Sequence, residues 1–214
     1  MSNKIEEADL KKYLLIAFGF RMLGAIGYSM LIQYYYGYGD SFTFYDGGNF
    51  YFDQILNKPS NASYLLSGYK ESSDWFSAIA TDDNAFFYSG SNNLMMRISA
   101  VLAFFSFDKY LIIVLFCGFF AFMGQWKLFL VFDDLNKHRN RKLLAFAVLC
   151  VPSIWFWSSG LLKDTICLGA MSYIVHIFYK FFVKKKFSLR DILLACFFGY
   201  VVFTIKSYII IIFL

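Results

Sequence analysis

The segment 152–164 holds groups that can bind a phosphate, and it lies between two long apolar runs. Tryptophans, serines and a glycine come before Lys163 and Asp164 there. Because a charge buried in lipid is costly, polar groups kept between apolar runs indicate a site at a membrane surface. Ser159 lies just before a predicted helix start, whose free backbone N–H groups favour an anion, and Lys163 adds a point charge for a phosphate. In the alternative interpretation, Asp164 offsets the helix dipole while Lys163 extends to the lipid headgroups.

Asp40 is the first acid after the first apolar run, and it lies in the glycine-rich stretch 39–48. A carboxylate at this place can act as a general base on an acceptor hydroxyl, or it can bind a divalent cation together with Asp46. Alternatively, Asp40 caps the next helix through its side-chain oxygen. Its position therefore predicts either a catalytic or a capping role.

Three further cations accompany these groups. Lys206 stands at the end of an apolar run, where it can anchor the chain at the interface or help to bind an anion. Arg21 is the most deeply placed charge, and an intramembrane arginine usually has a partner, so either an ion pair with an acid of a loop or a substrate contact is expected. Arg97 begins a short apolar stretch and can contact a lipid phosphate.

The elements that position these groups are membrane-spanning helices. Apolar residues make up 59% of the chain and charged residues only 16%, and the apolar residues occur in runs near the 20 or so that a spanning helix needs. We expect an all-α, polytopic helical bundle that forms a single transmembrane domain over residues 1–214. Five full spans are predicted, at residues 13–35, 110–132, 143–157, 165–183 and 191–205.

Two shorter features complete the predicted fold. The stretch 94–105 is too short to span, which predicts a helix that lies on the membrane surface or re-enters the membrane, within a loop over residues 36–109. Residues 206–208 are predicted to form a tight turn into an incomplete sixth span, so the chain resembles an N-terminal fragment of a longer protein.

The charges predict the orientation of the spans. The basic residues concentrate before the first span, in the loop 133–142 and in the run Lys184, Lys185 and Lys186. With five spans these regions share one side, which the positive-inside rule makes cytoplasmic. The polar segment 36–93, with seven acids and two lysines, then lies outside together with Asp40, Lys163 and Lys206. The location expected is a bacterial cytoplasmic membrane, with a cytoplasmic N-terminus.

Several function classes are excluded or disfavoured. The net charge of +5 is explained by the cytoplasmic loops, so no nucleic-acid partner is expected. His138 and His176 are far apart and the cysteines lie within predicted spans, which disfavours a zinc site. The metal requirement stays open, because a divalent cation remains compatible with Asp40 and Asp46.

Two stretches resemble a known group of membrane enzymes. The Gly-Asp-Ser of residues 39–41, followed by aromatic residues, resembles the start of the first outer loop of GT-C type glycosyltransferases. Residues 152–164 resemble a stretch of the dolichyl-phosphate-mannose mannosyltransferase-like group, although the expected Arg-Pro-Tyr-like element near Lys206 is Lys-Ser-Tyr here. The resemblance implies a polyprenyl-phosphate sugar as donor, Asp40 as the essential acid with Asp46 second, and Lys163 as the partner of the lipid phosphate. It also implies an adjacent acidic pair in that loop, for which Asp82-Asp83 is the only counterpart.

These observations give two hypotheses of function. The first is a membrane glycosyltransferase that transfers a sugar to a glycan or lipid acceptor outside the membrane, in envelope glycan assembly. The second is a non-catalytic transporter or polysaccharide-export or polymerase subunit that binds a lipid-linked glycan with the same residues. An enzyme needs an acid within reach of the bound donor, whereas a transporter needs a polar path through the bundle.

Overall fold

Long apolar runs without proline form the main helices. The computed structural model describes residues 2–66, 89–137 and 139–213, with side chains from residue 9 to residue 209 within these ranges. The prolines Pro59 and Pro152 each lie in the first turn of a short helix, where a missing N–H costs little, so neither interrupts a long one. The pair Asp82-Asp83 and His138 lie outside the described residues.

All regular structure in the described residues is helical, as predicted. In chain order the α-helices are α1 (Ser2–Met30), α2 (Asp40–Asn57), α3 (Ser63–Leu66), α4 (Gly90–Ser106), α5 (Tyr110–Leu135), α6 (Arg141–Leu149), α7 (Pro152–Trp157), α8 (Lys163–Phe182) and α9 (Leu189–Phe213). A π-helix, Leu31–Tyr36, extends α1, and a short 3₁₀-helix, Pro59–Ala62, precedes α3.

Four helices of the described part are long and apolar enough to cross a membrane, which indicates a multi-pass membrane protein. These are Asp9–Tyr36, Tyr110–Leu135, Lys163–Phe182 and Leu189–Ile209. They correspond to four of the predicted spans, with ends that differ by a few residues.

The remaining predicted span, residues 143–157, is wrong as a single helix. Helix α6 ends at Leu149, and α7 begins at Pro152 after two residues that are not helical, although the Cys150 N–H still donates to the Phe146 carbonyl at 3.0 Å. The pre-proline residue Val151 is extended, with φ −62° and ψ 121°, as the ring of the following proline requires. Hydropathy alone cannot detect the break, because the apolar character continues across it.

Helix α5 is the centre of the bundle. It runs antiparallel to α1, where Phe18 packs edge-on against Phe122 with ring centroids 5.4 Å apart. It runs parallel to α8, and the two backbones approach so closely that a Cβ on Gly124 would lie 2.5 Å from the carbonyl oxygen of Gly169. Small residues at such a crossing allow tight helix packing in membranes. Helix α9 then packs antiparallel on α8, where Tyr173 stacks on Phe198.

Helices α2 and α4 form an antiparallel pair against this bundle. A Cβ on Gly48 would lie 2.5 Å from Cβ of Ser99 and 3.1 Å from the backbone nitrogen of Ala100, so the helices touch along their backbones. The Tyr45 hydroxyl donates to the carbonyl oxygen of Asp108 (3.1 Å), and burial raises the pKa of that phenol, which keeps it protonated as a donor. Nine of the 17 residues of α4 are buried, so this helix packs closely against its neighbours, and its position at the membrane surface stays a prediction.

The two ends of the bundle differ in charge. The lysine-rich end holds Arg141, Lys180 and the run 184–186, with three acids in ion pairs. These pairs are Asp133 with Arg141 at 2.9 Å, Asp134 with Lys184, and Asp191 with Lys180. The opposite end, called the Asp40 end, holds Asp40, Tyr110, Lys163 and Lys206.

The chain bends sharply at Lys206. This residue has φ −146° and ψ 76° inside α9, outside the helical range. Ile209 beyond it packs beside Ala170 and shares a cleft with Met171, which lies two turns below Asp164 along α8. The chain therefore bends back along α8, in line with the change of direction predicted at residues 206–208.

Candidate functional site

Asp40 is positioned by a short glycine-containing link after α1. Gly37 ends the π-helix in the left-handed conformation (φ 69°), and Gly39 has φ 135°, so the chain can reverse before Asp40 starts α2. Ser41 fixes this start, because its hydroxyl shares a buried 2.9 Å hydrogen bond with the hydroxyl of Tyr110 on α5. The Asp40 side chain is exposed at the first turn of α2.

Lys163 lies at the first position of α8 and is half-buried. Its Nζ donates to the Ser91 hydroxyl of α4 at 2.8 Å and lies 5.9 Å from the ring centroid of Phe44 on α2. Asp40, Asp164 and Lys206 all interact electrostatically with it. Residues from four helices therefore meet around this ammonium group.

Asp164 and Lys206 form an ion pair across α8 and α9. The carboxylate is mostly exposed, at 66%, whereas the ammonium is 22% exposed. A pair with this exposure contributes about 0–1 kcal/mol to stability. Its main effect is to place the bend of α9 beside the start of α8.

The start of α8 has no side-chain cap. Its N-cap residue is Leu162, and no side-chain hydrogen bond reaches the first-turn N–H groups among the described residues. Asp164 in the first turn is directed to Lys206 rather than to the helix end. In the same turn Thr165 is fully buried, and its Oγ1 has no partner in the described part of the chain.

A cleft of about 410 Å³ adjoins the cluster. Asp164, Ser153 and Ser158 provide polar groups, while Trp157 and Met171 provide apolar walls. Trp157 is 53% exposed and packs edge-on against Tyr28 with ring centroids 6.3 Å apart. An amphipathic ligand can therefore contact carboxylate, indole and aliphatic groups at one place.

Arg21 lies apart from this cluster in a buried network. It is 2% exposed, and its Nη1 donates to the carbonyl of Trp155 (3.1 Å), to Ser158 Oγ (3.0 Å) and to Ser159 Oγ (3.2 Å). The Ile154 carbonyl also accepts the Ser158 N–H, and the Trp155 carbonyl also accepts the Ser159 hydroxyl, so the guanidinium is a further donor that helps to cap the end of α7. No described carboxylate forms a salt bridge with Arg21. Four of the loop acids that the sequence offers as partners lie within residues 67–88, outside the described part, so the ion pair stays a prediction. Ser159 is fully buried in this network, so its hydroxyl is not open to a substrate.

Arg97 and Asp46 also lie away from Lys163. Arg97 is buried and donates to the carbonyl of Leu65 at 3.2 Å, so it fixes α3 onto α4 instead of facing lipid. Asp46 is exposed, six residues after Asp40 on α2, which is about 9 Å along the helix axis and on a different face. The two aspartates therefore cannot ligate one cation, and the described residues contain no group of three or more metal-ligating side chains.

The sequence interpretation did not identify Ser91, Phe44, Tyr28 and Tyr110 as neighbours of the site. Tyr28 is buried against Gly160, where a Cβ would lie only 2.2 Å from the tyrosine ring. Ser91 could have been predicted as a site residue from the polar run 89–93, which comes directly before an apolar helix. Nothing in the spacing identifies the tyrosines, because aromatic residues are frequent throughout the chain.

The chain was compared with models of known protein families, with curated proteins and with solved structures, and none of them matches it. Its function must therefore be argued from its own residues.

Proposed function

We propose that the chain crosses a bacterial cytoplasmic membrane five times, with a cytoplasmic N-terminus. The crossings are α1, α5, the broken pair α6–α7, α8 and α9, and the segment after Lys206 begins a sixth. The support is the charge distribution, because the lysine-rich end carries most of the basic residues and basic loops favour the cytoplasm. The Asp40 end then faces outward.

We further propose that the protein is a GT-C type membrane glycosyltransferase that uses a polyprenyl-phosphate sugar in envelope glycan assembly. The observation that carries this proposal is the position of the Lys163 Nζ, 5.9 Å from the ring centroid of Phe44, which lies one helical turn after Asp40 on α2. Asp40 and Lys163 are therefore close together although they belong to helices far apart in the chain. One group is an exposed base and the other a half-buried cation, which are the two charges that glycosyl transfer from a phosphate requires.

In this mechanism the Asp40 carboxylate takes the proton of an acceptor hydroxyl. The acceptor oxygen bonds to the anomeric carbon as the bond from that carbon to the phosphate oxygen breaks. The electron pair leaves with the polyprenyl phosphate, and the ammonium of Lys163 stabilises the added negative charge. The unpaired N–H groups at the start of α8 add to this stabilisation. Lys206 contributes less, because Asp164 already neutralises much of its charge.

An apolar cavity near Lys163 suits the lipid part of such a donor. It has a volume of about 230 Å³ and lies among α4, α5, α8 and α9. Ile166, one turn below Lys163 on α8, lines it together with Cys117 and Phe198. A lipid chain in this cavity would bring its phosphate towards the Lys163 ammonium.

Binding of a lipid-linked glycan without transfer is the second candidate. The exposed Asp164 beside Trp157 favours glycan binding, since indole rings and carboxylates contact sugars. Transport through the bundle has less support, because the close approach of Gly124 and Gly169 leaves no path between α5 and α8 at that level.

The test is donor cleavage in membranes that contain the full chain. Synthetic polyprenyl-phosphate mannose is supplied with membranes of the source organism as acceptor, and release of polyprenyl phosphate is measured. Asp40→Asn is expected to lower the rate at least 100-fold, since a positioned base contributes about 10²–10⁴-fold. Lys163→Gln should also lower the rate, because the leaving phosphate loses its cation.

Asp53→Asn is the matched control, because Asp53 is exposed on the same helix as Asp40. It should keep the wild-type rate. A normal rate in Asp40→Asn would reject the enzyme assignment. Donor binding without any cleavage by the wild-type chain would favour the second candidate.

A further inference from the structure

A third cavity lies at the lysine-rich end, between α5 and α8. Its volume is about 480 Å³, and α5, α8 and the residues directly after α8 line it. The lining residues are Leu130, Val131, Asp134, His176, Tyr179, Lys180, Lys184 and Lys186. It is separate from the Asp40 end, because α5 and α8 are parallel and this cavity adjoins their C-terminal ends.

The cavity keeps an excess of positive charge after its ion pairs are counted. Asp134 pairs with Lys184 and accepts a hydrogen bond from Tyr179, while Lys180 pairs with Asp191. Lys186 is exposed and has no carboxylate partner among the described residues. The lining thus includes three lysines and a single aspartate, which favours an anion.

The backbone after α8 holds Lys186 at the cavity. Lys185 adopts the left-handed conformation with φ 53°, which costs an L-residue other than glycine about 1 kcal/mol. The turn is closed by a hydrogen bond from the Lys186 N–H to the Lys180 carbonyl oxygen at 3.0 Å. Lys184 donates in the same way to the carbonyl of Tyr179 at 3.2 Å. The lysine run is therefore folded onto the end of α8.

The walls of the cavity match an amphipathic ligand. Leu130 and Val131 of α5 are apolar lining residues, and the lysines that line the cavity come from α8 and the segment after it. Because α5 and α8 are candidate spans that end here, the lysines lie at the depth of lipid headgroups. Basic pockets between spanning helices commonly bind anionic headgroups.

We propose that this cavity binds the phosphate of an anionic phospholipid, with the acyl chain along Leu130 and Val131. The lipid phosphate contacts Lys186 and the rim formed by Lys180 and Lys184. This site is independent of the proposed glycosyl transfer, since it lies at the other end of the bundle.

The test measures lipid binding to the full chain purified in dodecyl maltoside, by native mass spectrometry. Phosphatidylglycerol and phosphatidylcholine compete as probes, and the wild-type chain should prefer phosphatidylglycerol about tenfold. Lys186→Gln should reduce that preference about fivefold, the effect of one lysine near an anionic headgroup. Lys185→Gln removes the same charge from the neighbouring residue, which does not line the cavity, and should change the preference less than twofold.

A second variant protects the test against misfolding. Asp134→Asn with Lys184→Gln removes both members of one ion pair and leaves no unpaired carboxylate. It should also weaken the preference for phosphatidylglycerol.

Equal loss in Lys185→Gln and Lys186→Gln would overturn the proposal, because it would show diffuse surface attraction. Equal binding of the two lipids by the wild-type chain would also overturn it. Displacement of phosphatidylglycerol by inorganic phosphate at equal concentration would indicate a site for a soluble anion instead.

Discussion

Arg21 has an unusual environment for a charge in a spanning helix. It is almost fully buried, and its Nη1 contacts two serines and the carbonyls at the end of α7, while Nε and Nη2 have no partner among the described residues. Before the helices associate, the guanidinium would face lipid, which is costly. Folding replaces that environment with polar groups, so Arg21 favours docking of α7 on α1.

We therefore expect Arg21→Met to weaken the tertiary structure by about 1–2 kcal/mol, the size of an interhelical polar interaction in a membrane. Arg21→Lys should lie between, because lysine keeps the charge but its shorter side chain lacks the planar guanidinium that directs Nη1 to these acceptors. The measurement is the thermal unfolding midpoint in detergent. Leu23→Met, exposed on the same helix, is the control and should leave the midpoint unchanged. A wild-type midpoint in Arg21→Met would contradict the capping role.

The distribution of charges along the sequence predicted which residues of the candidate site lie at the same end of the bundle. It did not predict which side chains pair with each other there. The bias of lysines to one side was enough to group Asp40, Lys163 and Lys206 at one end. The pairing of Asp164 with Lys206, and of Lys163 with Ser91, depends on how each helix is rotated about its axis. That rotation is set by packing among helices that are apolar on most sides, so sequence periodicity carries little information about it.

At the scale of elements, continuous apolar runs predicted where the long helices lie. They did not predict where a helix is interrupted. The spans around α1, α5, α8 and α9 follow from length and hydropathy. The division of residues 141–157 into α6 and α7 depends on Pro152 and on the hydrogen bond that Arg21 donates to the Trp155 carbonyl near the end of α7. The sequence does not indicate the contact between Arg21 and the end of α7, so it did not predict the break at residues 150–151.

The crossing of α5 and α8 gives a sharp prediction about packing. Gly124→Ala would place its Cβ 2.5 Å from the Gly169 carbonyl oxygen and 2.8 Å from the Gly169 Cα, which are backbone atoms that cannot rotate away. Overpacking of this kind costs about 1–3 kcal/mol. We expect a lower unfolding midpoint in detergent and a lower yield of folded protein.

Gly199→Ala is the matched control for that change. It lies inside α9, and no atom lies within 4 Å of an added Cβ. Alanine favours a helix over glycine, so this variant should be as stable as wild type or slightly more stable. If Gly124→Ala behaved like Gly199→Ala, the close approach of α5 and α8 would be wrong.

At the scale of the whole molecule, the charge asymmetry predicts how the protein lies in the membrane. Alkaline phosphatase inserted after Lys58 should be active, because the Asp40 end is expected outside, where the enzyme forms its disulfides. The same enzyme inserted after Lys137 or Lys186 should be inactive, since both residues are exposed at the lysine-rich end. Activity after Lys186 and none after Lys58 would reverse the proposed orientation and remove Asp40 from the outer face.

Helix α1 connects to both halves of the proposed site. Asp40 follows its C-terminal end through the short link at residues 37–39, and Lys163 follows the segment that Arg21 holds through Ser158 and Ser159. When α1 tilts in the bilayer, the Asp40 carboxylate and the Lys163 ammonium are therefore expected to move together with this helix. Changes of bilayer thickness that spread the other helices would thus leave the spacing of the two charges nearly constant.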